Sequence, residues 1–217
     1  AILAGDCAAG FALELLHRAP FPAARLREGF AAFGTMHFEV VCGQQLDLLE
    51  HPEVALTHHL KTGSYSVRGP LRLGALLGDA SDAQLQALEQ FGEPLGVAFQ
   101  PRDDLLGTFG DPNVTGKPIG NDLREGKNTV LVSEARKILS GSEWRALDDV
   151  LGDAEASEAQ LAHVAQLLQK SGVRERVETQ LRALTERSEK VLAEGPFTDE
   201  GKQLLGEILT RLTRREK

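Results

Sequence analysis

Two adjacent carboxylates on a largely apolar helical stretch are the residues of this 217-residue chain most suited to chemistry. Asp103 and Asp104 follow an apolar run, and Gln100 precedes Asp104 by one helical turn. Residues four apart lie one above the other on a helix, so Gln100 and Asp104 share a face. Buried carboxylates are costly unless a positive charge compensates them, and a hard divalent cation takes oxygen ligands that it often shares with phosphates. The pair therefore predicts a metal site, with an acidic patch at the helix end as the alternative.

Basic and amide side chains elsewhere in the chain indicate a matching anion. Lys61 lies in an apolar context, where a lysine either extends to solvent or binds an anion. Taken alone, Lys61 fits a solvated lysine, but together with Lys117 and Lys127 it forms a set suited to a diphosphate. Gln44 and Asp47 are three residues apart and share a helix face, which fits either a satisfied core pair or a part of the same site.

Composition excludes several classes of protein. The residues are 41% hydrophobic but only 5% aromatic, which favours helices over sheets. A net charge of −8 and a pI of about 5.3 argue against a broad nucleic-acid surface. No apolar stretch is long enough to span a bilayer and no signal peptide is evident, so we expect a cytoplasmic protein. Cys7 and Cys42 lie in apolar runs without metal-ligand spacing, which predicts reduced, buried thiols.

Apolar periodicity predicts one all-α domain. A capping box at residues 81–84 opens the helix that carries the acidic pair, and glycine and proline break the chain after it. The apolar residues Leu3, Phe11 and Leu15 recur at helical spacing, and the small residues of the same helix would allow a neighbouring helix to approach closely. The other predicted helices span residues 2–18, 23–49, 130–139, 143–151, 158–169, 173–192 and 199–212.

A set of ordered motifs gives the chain a family resemblance over residues 2 to about 139. Any one of the motifs is weak, but their order is specific. The sequence resembles the trans-isoprenyl diphosphate synthases, or polyprenyl synthetases, and is similar to a bacterial branch with short- to medium-chain products. The motifs are Leu3-Ala4-Gly5-Asp6, Gly43-Gln44-Gln45-Leu46-Asp47-Leu48, Lys61-Thr62-Gly63-Ser64, Phe99-Gln100-Pro101-Arg102-Asp103-Asp104, Gly110-Asp111-Pro112, Gly116-Lys117-Pro118 and Asp122-Leu123-Arg124-Glu125-Gly126-Lys127.

The resemblance implies an isoprenoid-synthase helical bundle around a deep apolar cavity, and a homodimer. It implies a diphosphate synthase of the farnesyl or geranylgeranyl type, which condenses an allylic diphosphate with isopentenyl diphosphate to a longer trans-prenyl diphosphate. Magnesium would assist the ionisation. The implied roles are catalysis for Lys61, Thr62 and Gln100; diphosphate binding for Lys61, Lys117, Lys127 and Gln44; and Mg²⁺ binding for Asp103 and Asp104.

Two departures from the family pattern leave other interpretations open. Gly107 stands where the family usually has the third aspartate of its second aspartate-rich motif. The first such motif would precede Ala1, so residues 1–217 are expected to form a single domain without its N-terminal helices. These departures keep open a non-catalytic partner subunit of a heteromeric synthase. A terpene cyclase is a weaker alternative, because Lys61-Thr62 and Gly116-Lys117 fit it poorly.

Overall fold

Helices make up all the regular structure of the described residues. The structure is a computed structural model that describes residues 2–49, 51–110 and 120–213. The elements are α1 (Ile2–Arg18), α2 (Ala23–Leu48), α3 (Val54–His58), the π-helix π1 (His59–Arg68), α4 (Gly69–Leu77), α5 (Asp82–Phe109), α6 (Asn121–Arg124), α7 (Val130–Ile138), α8 (Gly141–Asp148), α9 (Glu158–Lys170), α10 (Val173–Glu194) and α11 (Asp199–Thr213). None of the helices in these ranges has the length and apolarity needed to cross a membrane. The predicted all-α class is confirmed.

Helix α5 is the central element, and it contacts π1, α4, α10 and α11. The predicted capping box begins it, because Ser81 accepts a hydrogen bond from the Gln84 backbone N–H while the Gln84 side chain accepts one from the Ser81 N–H. The buried Ser188 hydroxyl of α10 donates to the Phe91 carbonyl of α5 at 2.9 Å. These contacts fix the helix that carries the acidic pair.

Two groups of buried apolar residues lie along α5. The larger group joins the second half of α5 to α7, α9 and α10, with Val132, Val164 and Val173 among its fully buried members. The smaller group includes Phe91 and Leu95 of α5, packed with Val67 of π1 and with Leu205 and Leu209 of α11. The acidic pair near the end of α5 therefore lies at the edge of the larger core.

Most predicted helices are confirmed within one or two residues, and α8 differs more. The helix expected over residues 143–151 is Gly141–Asp148. It ends early because the chain turns at Gly152, where φ is +83° and the backbone N–H donates to the Leu123 carbonyl at 2.8 Å. That bond joins the turn to α6, next to the acidic end of α5.

The N-terminal helix is less buried than its sequence indicates. Leu3, Phe11 and Leu15 are 64–78% exposed, so little of the described chain covers this apolar stripe. Leu16 is the one buried residue among those described in α1. The prediction of buried thiols is wrong, because Cys7 is exposed and Cys42 is half-buried, although both are free.

Candidate active site

Two close contacts at glycines bring α2, π1 and α5 together. A Cβ atom on Gly43 of α2 would lie 2.7 Å from the carbonyl carbon of Leu60, inside van der Waals contact. A Cβ atom on Gly96 of α5 would lie 2.9 Å from the Cα atom of Gly63. π1 therefore lies between two helices at backbone contact distance, which a side chain at either position would prevent. π-helical turns are frequent at functional sites.

Each of these glycines precedes a polar side chain of the site by one turn. Asp47 follows Gly43 by four residues, and its Oδ2 atom lies 2.6 Å from Lys61 Nζ. Gln100 follows Gly96 by four residues, and its Oε1 atom accepts a hydrogen bond from the Thr62 hydroxyl at 3.3 Å. Because i and i+4 lie on one helix face, the close backbone contacts place Lys61 beside Asp47 and Thr62 beside Gln100.

Asp104 joins α5 to α7 through its carboxylate, and Gln100 links it to Thr62 of π1. Gln100 Nε2 donates to Oδ1 at 3.0 Å, and the backbone N–H of Val130 donates to Oδ2 at 2.9 Å. Val130 is the first residue of α7, whose N-terminus Thr129 caps with its side chain. The positive end of the helix dipole therefore faces the carboxylate. An ionised carboxylate only accepts, so Gln100 presents its nitrogen to Asp104 and its oxygen to Thr62.

Asp104 is one of two buried carboxylates in the described part of the chain, and Glu134 is the other. The exposed fraction of Asp104 is 2%. Burial raises the pKa of Asp104 from 3.8 to about 6; the hydrogen bonds from Gln100 and Val130 lower it, and the charges of Asp122 and Asp103 raise it further. The charged form is therefore the one that a nearby cation would stabilise.

Lys127 reaches the same region from the turn after α6. Its Nζ atom lies 2.8 Å from Asp122 Oδ1 and 2.6 Å from Glu125 Oε2. Partial burial by itself would lower the pKa of Lys127, but hydrogen bonds to Asp122 and Glu125 outweigh it and hold the pKa above its usual range. The lysine therefore carries a positive charge at neutral pH.

These side chains surround one cavity of about 290 Å³. Charges of both signs line it, and His58 adds an imidazole. Burial lowers the pKa of His58 to about 4, with the charge of Asp47 acting against the shift and that of Lys61 adding to it. The imidazole is therefore neutral at neutral pH. The lining residues that sequence analysis had singled out are Asp47, Lys61, Gln100, Asp104 and Lys127.

A comparison of the sequence with models of protein families identifies the family of this chain. The model of the polyprenyl synthetases matches residues 1–168 of the chain. The chain belongs to the polyprenyl synthetase family. The family resemblance drawn from the ordered motifs is thus confirmed.

Individual relatives of this polyprenyl synthetase agree with the family match. The chain is 33% identical over 228 residues to the geranylfarnesyl diphosphate synthase of Aeropyrum pernix, covering 100% of this chain and 70% of that protein. It is 34% identical over 188 residues to the (2E,6E)-farnesyl diphosphate synthase of Mycobacterium bovis, covering 80% of this chain and 50% of that protein. The two relatives are named for different products, so they do not fix a product length.

A solved structure agrees in fold. The geranylgeranyl pyrophosphate synthase of Corynebacterium glutamicum, complexed with isoprenyl diphosphate and magnesium, superposes with a TM-score of 0.90 at 36% identity. The match covers 99% of this chain and 62% of that one. This polyprenyl synthetase therefore has the isoprenoid-synthase fold that the resemblance implied, and its 217 residues span less than two thirds of that relative.

The predicted site residues of the polyprenyl synthetase do not all lie at the cavity. Lys61, Gln100, Asp104 and Lys127 line it. Thr62 is buried and reaches the site through Gln100. The remaining three are Asp103, half-buried beside Asp104; Gln44, exposed on α2 outside the lining residues; and Lys117, outside the described residues. The roles assigned to all of these residues stay predictions, as does the deep apolar cavity.

Sequence reasoning missed several polar residues of the site, among them Asp122 and His58. Asp122 begins the motif that ends at Lys127, but its spacing in the sequence does not show that its side chain contacts Lys127 and α5. His58 also lines the cavity, whereas its neighbour His59 does not. The one signal in the sequence for Asp122 and His58 is that they lie close to motif residues. A single sequence does not show whether such a position is more than chance.

Proposed function

We propose that this polyprenyl synthetase condenses an allylic diphosphate with isopentenyl diphosphate to give a longer trans-prenyl diphosphate. The observation that carries the proposal is the meeting of two lysines, Lys61 and Lys127, with the Gln100–Asp104 pair around one cavity. A diphosphate needs several cationic donors, whereas a cavity serving only assembly of subunits needs none. This arrangement favours an active enzyme over a non-catalytic partner subunit.

The donor set of the cavity fits magnesium. Within the described ranges, no group of three or more His, Cys, Asp or Glu side chains could hold a metal ion by itself. Magnesium usually binds through one or two carboxylates and completes its shell with water and substrate phosphates, so a partial set of acidic oxygens is what it requires. Asp103 and Asp104 would hold Mg²⁺ here. When bound, the ion would neutralise the charge that develops on a departing diphosphate.

The chain's own side chains supply the remaining interactions. Lys61 and Lys127 would bind oxygens of the diphosphate and stabilise its charge as the allylic C–O bond breaks. Thr62 and Gln100 hold Asp104 in one orientation through consecutive hydrogen bonds of 3.3 Å and 3.0 Å. Their role in this proposal is to keep the acidic side of the cavity fixed while the lysines act. Lys117 would add a third cation. A cytoplasmic homodimer, implied by the resemblance, belongs to the same proposal.

One assay tests the proposal. The full-length protein is incubated with Mg²⁺, an allylic diphosphate and labelled isopentenyl diphosphate, and the products are separated by chromatography. We expect a longer labelled prenyl diphosphate. Lys61→Ala and Asp103→Ala are each expected to lower kcat/KM by about two orders of magnitude or more, because both remove groups that act on developing charge.

Matched controls separate a local effect from a general loss of charge. Lys190→Ala and Asp148→Ala replace an exposed lysine and an exposed aspartate far along the chain, on α10 and α8. Both should retain the kcat/KM of the unmodified protein. Equal activity of Lys61→Ala and Lys190→Ala would contradict the site assignment. No product from the full-length protein would favour the partner subunit.

A further inference from the structure

Gly107 leaves a space on α5 that another part of the chain fills. It follows Asp103 by four residues and therefore lies on the same face of the helix. A Cβ atom on Gly107 would lie 3.0 Å from Asp122 Oδ2, which is tighter than ordinary van der Waals contact. The Gly120 backbone N–H also donates to the Gly107 carbonyl at 2.9 Å. The carboxylate of Asp122 thus lies where a side chain at position 107 would begin.

The same carboxylate holds Lys127. Asp122 Oδ1 lies 2.8 Å from Lys127 Nζ, and the Lys127 backbone N–H donates to the Asp122 carbonyl at 2.9 Å. The Asp122 side chain is 28% exposed, so its position is restricted on one side by α5 and on the other by the lysine. One residue therefore connects the acidic face of α5 to a cationic group of the cavity.

We propose that Asp122 is the positioning residue for Lys127 and that Gly107 is required because it admits the Asp122 carboxylate to the acidic face of α5. The site then keeps its number of carboxylates even though position 107 is a glycine and not an aspartate. Asp122 supplies a carboxylate beside Gly107 from α6, the helix that directly precedes the turn with Lys127. This inference rests on the proposed function only for the role of Lys127 toward a diphosphate.

Glu125 provides the comparison that makes the inference specific. It also pairs with Lys127, at 2.6 Å, but its side chain is 48% exposed and lies two residues from the lysine in the same turn. An ion pair within one turn orders the lysine locally but does not fix its distance from α5. Loss of Glu125 should therefore act independently of Gly107, whereas loss of Asp122 should not.

A double-mutant cycle tests this difference in two readouts. The first is the rate of acetylation of Lys127 without ligand, measured by peptide mass spectrometry; the second is the affinity for inorganic pyrophosphate with Mg²⁺, measured by calorimetry. Gly107→Ala and Asp122→Ala are each expected to raise the acetylation rate and to weaken pyrophosphate binding, by about tenfold. The double variant should match Asp122→Ala alone, because the added methyl group then has no carboxylate to displace.

The controls keep every outcome decisive. Gly107→Ala combined with Glu125→Ala should give the product of the two single effects. Asp122→Asn keeps the shape of the side chain, so it should retain the melting temperature but raise the Lys127 acetylation rate as Asp122→Ala does. The inference would be overturned if the effect in the Gly107→Ala/Asp122→Ala double variant equalled the product of the two single effects. An unchanged acetylation rate of Lys127 in Asp122→Asn would overturn it as well. Failure of the unmodified protein to bind pyrophosphate would instead overturn the proposed function, and the acetylation cycle would still test Asp122.

Discussion

Replacing Gly43 by alanine tests how closely α2 must approach π1. Alanine is favoured over glycine in a helix interior by about 1 kcal/mol, so the substitution would stabilise an unhindered site. At position 43 the new methyl group would lie 2.7 Å from the Leu60 carbonyl carbon. Because this is a backbone atom, a change of side-chain rotamer cannot relieve the contact. Overpacking costs about 1–3 kcal/mol, and contact with backbone places this case near the upper end. We expect a net loss of about 2 kcal/mol in the free energy of unfolding.

The same helix offers a matched control. Gly34 also lies in α2, and a Cβ atom there would meet nothing within 4 Å. Gly34→Ala should therefore raise the free energy of unfolding by up to about 1 kcal/mol. The difference between the two variants is about 3 kcal/mol, which corresponds to about 6–12 °C in melting temperature for a chain of this size.

Calorimetry on both variants measures that difference. The perturbation at Gly43 also displaces the backbone next to Lys61, so kcat/KM should fall in Gly43→Ala and remain unchanged in Gly34→Ala. Equal melting temperatures for the two variants would refute the close approach of α2 and π1. A lower melting temperature with unchanged kcat/KM would refute the claim that this approach positions Lys61.

Three further predictions concern the buried polar groups. His58 stays neutral in the folded protein down to about pH 4, whereas in the unfolded chain its imidazole binds a proton below pH 6.5. His58 therefore lowers the free energy of unfolding as the pH falls from 6.5 to 4. The free energy of unfolding of His58→Gln, measured in urea, should rise relative to wild type by about 3 kcal/mol between pH 7 and pH 4. The comparison must be with wild type, because the raised pKa of Asp104 favours the folded state as the pH falls through the same range. Asp104→Ala leaves the Val130 N–H and the Gln100 amide without their acceptor. It should lower the free energy of unfolding by about 2 kcal/mol at pH 7, measured in urea. A decrease of less than about 0.3 kcal/mol would contradict the contribution of these two hydrogen bonds. Thr62→Val should cost about 1 kcal/mol in thermal unfolding, and a gain in stability would show that its bond to Gln100 contributes nothing.

The helices could be predicted from the sequence because their signals are local. Ser81 and Ser157 each form the capping box that their sequence indicates, and apolar periodicity identifies the helices that follow. The end of α8 could not be predicted in the same way, since it depends on the bond from Gly152 to Leu123. The exposure of Leu3 and Phe11 was missed because periodicity shows which residues share a face but not whether another element covers it.

The candidate site could be predicted in its residue types but not in its connections. Asp104 and Lys127 stand out in the sequence as charged groups next to apolar runs and glycines. The contacts between them arise from tertiary packing: π1 lies against α2 and α5 only because glycines occur at both contacts. Within residues 59–68 the sequence indicated the motif from Lys61 to Ser64, but it did not indicate that this segment is a π-helix. Asp122 was missed because its neighbours Gly107 and Lys127 are brought to it by a turn.

The two adjacent aspartates of α5 have different surroundings. Successive residues on a helix point about 100° apart, so Asp103 and Asp104 do not face the same surroundings. Asp104 is buried and accepts hydrogen bonds from Gln100 and from the N-terminus of α7, which fixes α5 relative to the chain segment that begins α7. That segment directly follows Lys127, so the bond between Asp104 and Val130 also limits where Lys127 can lie. Asp103 is less buried, and a metal ion would reach it at a lower cost in desolvation. In the proposed function, where Asp103 and Asp104 hold Mg²⁺ together, Asp104 would also set the distance between that ion and the ammonium of Lys127.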